Sequence, residues 1–249
     1  MLELDFSKPK GDTLDLLSSS DDIFAISILN FLNSWWSKSQ FIISKTSGST
    51  GAPKEIILEK TKVVNSALAT GDFFSFKTGN SALLCMSPEF IAGKMMIVRA
   101  DIWKLKLLCV EPSKSPIDSL PLDINIDFAA MVPLQLKNSI KYLNSGRISK
   151  LLVGGGAVDS SLSLQLKNVE TQVYSSYGMT ETITHVAIKK LNGNGFNKFF
   201  CGLEGVKFKT DERDCLIVNA PKISDQEFVT NDIVELKNDR EFVWLGANK

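Results

Sequence analysis

The chain has 249 residues, of which 44% are hydrophobic and 22% charged, with 16 Gly and 8 Pro; this excludes a disordered or fibrous protein and leaves length for one large domain or two small ones. Lys plus Arg and Asp plus Glu balance at 28 each, so no whole-chain field exists to hold nucleic acid or an anionic membrane. Cys85, Cys109, Cys201 and Cys215 form no CxxC pair, and with a single histidine they offer too few soft ligands for a zinc site.

The N-terminus, MLELDFSKPK, lacks the apolar core of a secretory signal. The longest apolar stretch, residues 23–32, is interrupted by Ser27 and Asn30 and is too short for a membrane span. A cytoplasmic, reducing location is expected, with the cysteines read as small core residues.

The first forty residues read as a polar lead followed by one helix with Asp21 or Asp22 as N-cap. From Phe41, apolar runs alternate with helical patterns: FIIS, EIILE, a helix at about 61–74, ALLCMS, a helix at 91–103, KLLCVE, DFAAMVP, a helix opened by Pro133 and running to about 143, KLLVGGG, a helix at about 160–168, and TQVYSS. Buried runs alternating with helices predict an α/β fold, a mostly parallel sheet with crossover helices. After about residue 190 the strands FKT, DCLIVNA, FVTNDIVEL and REFVWLG follow with no helix between them. This predicts a core over residues 1–190 and a small antiparallel β-rich subdomain over 191–249.

Four clusters carry chemistry. TSGSTGAPK (residues 46–54) places four hydroxyls and two glycines within six positions, a backbone able to approach a polyphosphate, with Lys54 adding a point charge. It is not a Walker A loop, since Pro53 and Glu55 occupy positions that motif reserves for Gly and for Ser or Thr. A Ser/Gly-rich hairpin loop would read the same way. Gly154, Gly155, Gly156 and Ala157 follow the run LLV, at the strand end where open α/β sheets bind ligands, although a plain strand-to-helix turn has the same composition. SSYGMTET (residues 175–182) offers the Tyr177 ring, the Thr180 hydroxyl and the Glu181 carboxylate, a candidate ligand for Mg²⁺ beside phosphate oxygens. Asp232, in VTNDIVEL, could accept from ribose hydroxyls or simply serve a turn. His185 has no GxSxG elbow to partner and is expected to line a pocket or sit satisfied in the core.

Taken in order, TSGSTGAPK, LLVGGGA, YSSYGMTET and the Asp232 turn resemble the adenylate-forming superfamily of acyl-CoA synthetases, luciferases and nonribosomal adenylation domains. SPEFIAGKMMIVRA and MVPLQL look most like the o-succinylbenzoate-CoA ligases of menaquinone biosynthesis. The resemblance implies that Thr46, Ser47, Gly48, Ser49, Thr50, Gly51 and Lys54 hold the β- and γ-phosphates of ATP. It implies that Gly155, Gly156 and Ala157 lie along the adenine, with Ser176, Tyr177 and Gly178 on its other side and Asp232 on the ribose. Thr180 would contact the α-phosphate and Glu181 would ligate Mg²⁺. The implied chemistry is acyl-adenylate formation, then acyl transfer to CoA, with ATP, an aryl carboxylic acid and CoA as small-molecule partners and no nucleic acid or membrane.

Two departures stand out. Asn231 replaces the Gly of the family's TGD, and Ala247 stands where the Arg of the LGR hinge is expected after Leu245 and Gly246. By the resemblance, the small C-terminal domain and its lysine are absent from this chain, so reduced or no activity is expected. A second carboxylate on the acid could be received by Lys94, Arg99 or His185. Lys94 and Arg99 stand roughly 140° apart on a regular helix, which leaves at most one facing a given pocket; Lys94 is preferred because Gly93 could open the helix beside it. The competing functions are another acyl-CoA ligase, an amino-acid adenylation domain, and an adenylate-binding module that does not catalyse.

Overall fold

The computed structural model describes residues 1–45 and 54–248. Its strands are β1 (Leu2–Asp5), β2 (Phe41–Lys45), β3 (Glu55–Glu59), β4 (Ser81–Leu84), β5 (Lys106–Cys109), β6 (Ile126–Met131), β7 (Ile148–Val153), β8 (Gln172–Gly178), β9 (His185–Lys190), β10 (Phe200–Gly202), β11 (Lys207–Thr210), β12 (Cys215–Asn219), β13 (Phe228–Asn238) and β14 (Glu241–Ala247). Its helices are α1 (Lys10–Ser18), α2 (Ile23–Trp35), α3 (Lys60–Phe74), α4 (Ile91–Trp103), α5 (Pro133–Leu143) and α6 (Ser160–Gln165).

Among the described residues, twelve strands form one sheet in the order β1-β5-β4-β6-β7-β8-β9-β10-β14-β13-β12-β11. Strands β5, β4, β6, β7 and β8 pair in parallel, and every other neighbour in the sheet is antiparallel. The predicted α/β class, with crossover helices and an antiparallel continuation, is therefore present. The strands of residues 191–249 enter the same sheet through the β9–β10 and β10–β14 ladders.

The parallel strands read as continuous apolar runs because both faces are covered. Along β6, Phe128 and Ala130 belong to one core cluster and Ala129 and Met131 to the other, following the period of two. The first cluster packs under α2, α3 and α4 through Ile28, Leu32, Ala67, Met95 and Val98. The second packs under α5 and α6 through Leu136, Leu143, Leu162 and Leu166. Asp22 caps α2 by accepting from the Phe24 and Ala25 amides. The indoles of Trp35 and Trp36 both donate to Asp101 Oδ2, at 2.9 and 3.0 Å, tying α2 to α4.

The structure corrects three sequence expectations. The lead before α2 is not irregular: β1 pairs antiparallel with β5 and α1 follows it, an assignment decided by a partner a hundred residues away. FIIS and EIILE are not parallel strands of the main sheet. They form a separate antiparallel hairpin, β2–β3, in register from Phe41 opposite Glu59 to Lys45 opposite Glu55. Helix α4 begins at Ile91, so Gly93 lies inside it rather than opening it.

Candidate nucleotide and acid site

The carboxyl ends of β7 and β8 lie side by side, Val153 opposite Ser175. The loop after β7 passes so close to β8 that a Cβ on Gly154 would sit 2.5 Å from Ser176 Oγ, and Gly155 takes φ +75°, a conformation glycine adopts without strain. Ser176 Oγ donates to the Val153 carbonyl at 3.0 Å, joining the two strand ends. Gly155, Gly156 and Ala157 are exposed beyond them, a backbone shelf on which a flat ligand can lie.

One residue further, Tyr177 Oη donates to Asp232 Oδ2 at 2.6 Å, and Trp244 Nε1 donates to Asp232 Oδ1 at 2.9 Å. The Tyr177 ring stands edge-on to Phe242, 5.1 Å between centroids. Burial, then the Asp232 carboxylate, raises the Tyr177 pKa, so its hydroxyl stays a donor. A carboxylate has about four acceptor positions; two are filled here, and two can accept vicinal hydroxyls. The fold thus gathers Gly155, Gly156, Ala157, Ser176, Tyr177, Gly178 and Asp232 from β7, β8 and β13. Sequence reasoning missed Trp244, whose indole fixes the second oxygen of that carboxylate.

The turn between β8 and β9 carries Thr180, half-buried, and Glu181, exposed. Thr182 Oγ1 clamps this turn through the Met179 amide and the Thr184 carbonyl, at 3.0 and 2.6 Å. Among the described residues no three His, Cys, Asp or Glu side chains cluster as a metal cage. A lone carboxylate such as Glu181 fits Mg²⁺, which keeps waters and takes phosphate oxygens alongside one or two carboxylates. Thr46, Ser47, Gly48, Ser49, Thr50 and Gly51 lie outside the described residues; Lys54 is exposed just before β3.

The three acid-site candidates separate. Arg99 and His185 belong to one buried cluster with Ser66 and Thr70 of α3 and Thr184. Arg99 is 3% exposed; its Nη2 reaches Thr184 Oγ1 at 3.5 Å, its Nη1 only Met96 Sδ at 3.7 Å, and its Nε has no partner among the described residues. Burial lowers its pKa to about 9, which still leaves it charged at neutral pH. The Thr70 hydroxyl proton goes to the Ser66 carbonyl, so in the 3.2 Å contact with His185 Nε2 the ring nitrogen is the donor. Ser66 and Thr70 were legible in principle: they are polar residues on the face of α3 that also buries Val63, Ala67 and Phe74. Lys94 shares none of these contacts. It turns toward the Pro88 and Glu89 carbonyls and the ring of Phe31 on α2.

Beside His185 and Ser66 runs a narrow slot walled by Asn65, Ala69, Leu203 and Ile223, with space for about 20 Å³. That is room for one water, so an aryl group enters only by displacing a wall.

Burial, then the Arg99 charge, holds the His185 pKa well below its ordinary 6.5. Below pH 6.5 the unfolded chain takes a proton that the native one refuses, so stability is full above 6.5 and falls with pH. The expected slope approaches about 1.4 kcal/mol per unit between pH 6 and 5. Urea unfolding across that range measures it, and since His185 is the chain's single histidine, His185→Gln should flatten the slope.

Residues 33–203 match the sequence profile of the family described as AMP-binding enzyme. The 2-succinylbenzoate-CoA ligase of Haemophilus influenzae is 27% identical over 151 residues, 58% of this chain and 32% of that protein. Its namesake in Bacillus cereus is 23% identical over 203 residues, 75% and 42% of the two chains. The chain therefore matches less than half the length of these curated relatives. The acyl-CoA synthetase (AMP-forming)/AMP-acid ligase II-like protein from Dyadobacter fermentans superposes with a TM-score of 0.86 at 32% identity, covering 99% of this chain and 70% of that one. The o-succinylbenzoate coenzyme A synthetase of Bacillus subtilis, solved with ATP and magnesium ion, gives a TM-score of 0.69 at 18% identity, covering 82% and 49%; that likeness is one of fold.

Proposed function

Since this chain belongs to the AMP-binding enzyme family, we propose that it is the nucleotide- and acid-binding part of an acid-CoA ligase that activates o-succinylbenzoate, for menaquinone biosynthesis, in the cytoplasm. The substrate carboxylate would attack the α-phosphorus of ATP, displacing pyrophosphate and giving an acyl-adenylate, from which CoA would take the acyl group. The observation that carries the choice of acid is Arg99, a buried guanidinium that no carboxylate of the described residues neutralises. A buried cation without a partner is costly, and an acid with a second carboxylate would supply one. His185, held neutral, adds no competing charge.

This chain's residues would do the positioning. Asp232, oriented by Tyr177 and Trp244, would hold the ribose; the shelf at Gly155, Gly156 and Ala157 would carry the adenine; Thr180 would meet the α-phosphate. The 46–51 run with Lys54 would take the outer phosphates. When bound, Mg²⁺ would offset phosphate charge, with Glu181 as its protein ligand.

Asp232→Asn tests the nucleotide half. An amide keeps acceptors for only part of its present partners, so affinity for AMP should fall about tenfold, the loss of one charge-assisted hydrogen bond, with unfolding little changed. Unaltered AMP affinity would contradict the ribose assignment.

A further inference from the structure

Lys94 has no part in that reading, yet it is built into a cleft of its own. The cleft is open to solvent, holds about 590 Å³, and lies between α2, the β2–β3 hairpin and the segment leading into α4, a volume typical of small-molecule sites. Phe31, Phe41, Ile43 and Ile57 give it apolar walls, although Phe41, Ile43 and Ile57 are 49%, 54% and 69% exposed. The Lys94 side chain reaches it through a residue only 8% exposed. Among the described residues the charged groups that face the amine are Glu89, paired with Lys45 at 3.8 Å, and Lys45 itself; the described residues of α2 and the hairpin that line the cleft are otherwise neutral.

The amine keeps its carbonyl partners when it gives up a proton. Nζ donates to the Pro88 carbonyl at 2.6 Å and to the Glu89 carbonyl at 2.8 Å. Among the described residues the ammonium finds two oxygen acceptors and the Phe31 ring, 5.7 Å from Nζ; the neutral amine keeps both carbonyl bonds with its two protons and carries its lone pair in the remaining tetrahedral direction. Burial brings the pKa down to about 8, with Glu89 opposing and Lys45 reinforcing the shift.

We propose that Lys94 is a nucleophilic modification site that takes an apolar acyl group from an activated acyl donor of the mixed-anhydride or ester class. The lone pair of Nζ attacks the acyl carbonyl carbon and a C–N bond forms. The bond from that carbon to the leaving oxygen breaks, the leaving group departs with its electron pair, and the surplus proton passes to solvent. The product amide retains one N–H for a carbonyl, carries no charge to be buried, and lays its acyl group along the apolar walls. The adenylate reading enters only as the source of donor in the cell, since an acyl-adenylate is such a mixed anhydride; the amine's reactivity belongs to this cleft.

The full chain is treated with limiting benzoyl N-hydroxysuccinimide ester over pH 6.5 to 9.5, digested and mapped by mass spectrometry. A second arm uses o-succinylbenzoate with ATP and Mg²⁺. With the ester, Lys94 is expected to label about tenfold faster at pH 8 than the exposed lysines, and its rate to level off above pH 8 while theirs keep rising. Lys94→Arg should lose that label alone. Lys94 labelling no faster than exposed lysines, in protein with an unchanged urea midpoint, overturns the proposal. Label from the ester but none from acid and ATP supports the nucleophile and means that this chain does not itself make the donor.

Discussion

Arg99→Met is expected to make the protein more stable and to weaken its hold on a dicarboxylic acyl group. The guanidinium is buried, its Nε is unpartnered and its contacts are a thioether and one long bond to Thr184. Replacing a poorly compensated buried charge by an apolar side chain of similar length gains about 1–3 kcal/mol, read as a higher urea midpoint. A charge-assisted hydrogen bond to a ligand carboxylate is worth about 1.5–3 kcal/mol, so affinity for an o-succinylbenzoyl-adenylate analogue should fall roughly 10- to 100-fold. Affinity for the benzoyl analogue, which has no second carboxylate, should not change. Arg99→Lys, which keeps the charge and loses the planar fork, should fall between. A less stable Arg99→Met protein with unaltered ligand preference would make Arg99 a structural residue.

Gly178→Ala should cost the protein more than any other single methyl group added near the site. A Cβ at Gly178 would lie 2.1 Å from the Thr184 carbonyl oxygen and 2.5 Å from the Cα of His185. Both are backbone atoms, so no rotamer change relieves the overlap. The β8–β9 ladder already shifts register there, and separating the strands would displace the turn that carries Thr180 and Glu181 along with His185. The expected loss is at least about 3 kcal/mol, the upper end for overpacking, together with nucleotide binding. Gly156→Ala is the control: its Cβ would meet only Pro133, at 3.4 Å, and the cost should stay below about 1 kcal/mol. Similar unfolding midpoints for the two variants would contradict the close packing of β8 on β9.

The parts of the fold legible in the sequence were those in which one segment decides alone. The runs ALLCMS, KLLCVE and KLLVGGG announce strands covered on both faces, and Pro133 sets the start of α5. The hairpin misled for a physical reason: Ile43 and Ile57 are apolar yet exposed, which hides the alternation of an edge-type strand and imitates a buried run. β1 has four residues and is a strand by virtue of β5. In the site, the residue types of the Gly154–Gly156 turn and of Asp232 were readable, but Tyr177 meets Asp232 across 55 positions and Trp244 joins them from β14. Arg99 and His185 were named separately; that they share one cluster with Ser66 and Thr70 depends on how α3 and α4 pack against β9.

The most direct test is a calorimetric titration of the chain with a non-hydrolysable o-succinylbenzoyl-adenylate analogue, with AMP and the benzoyl analogue as references. Arg99 in its buried cluster and the Tyr177–Asp232–Trp244 group together predict binding at least about tenfold tighter than either reference, one charge-assisted hydrogen bond or more in free energy. Equal affinity for the two acyl analogues, or no binding of any of the three, would contradict it.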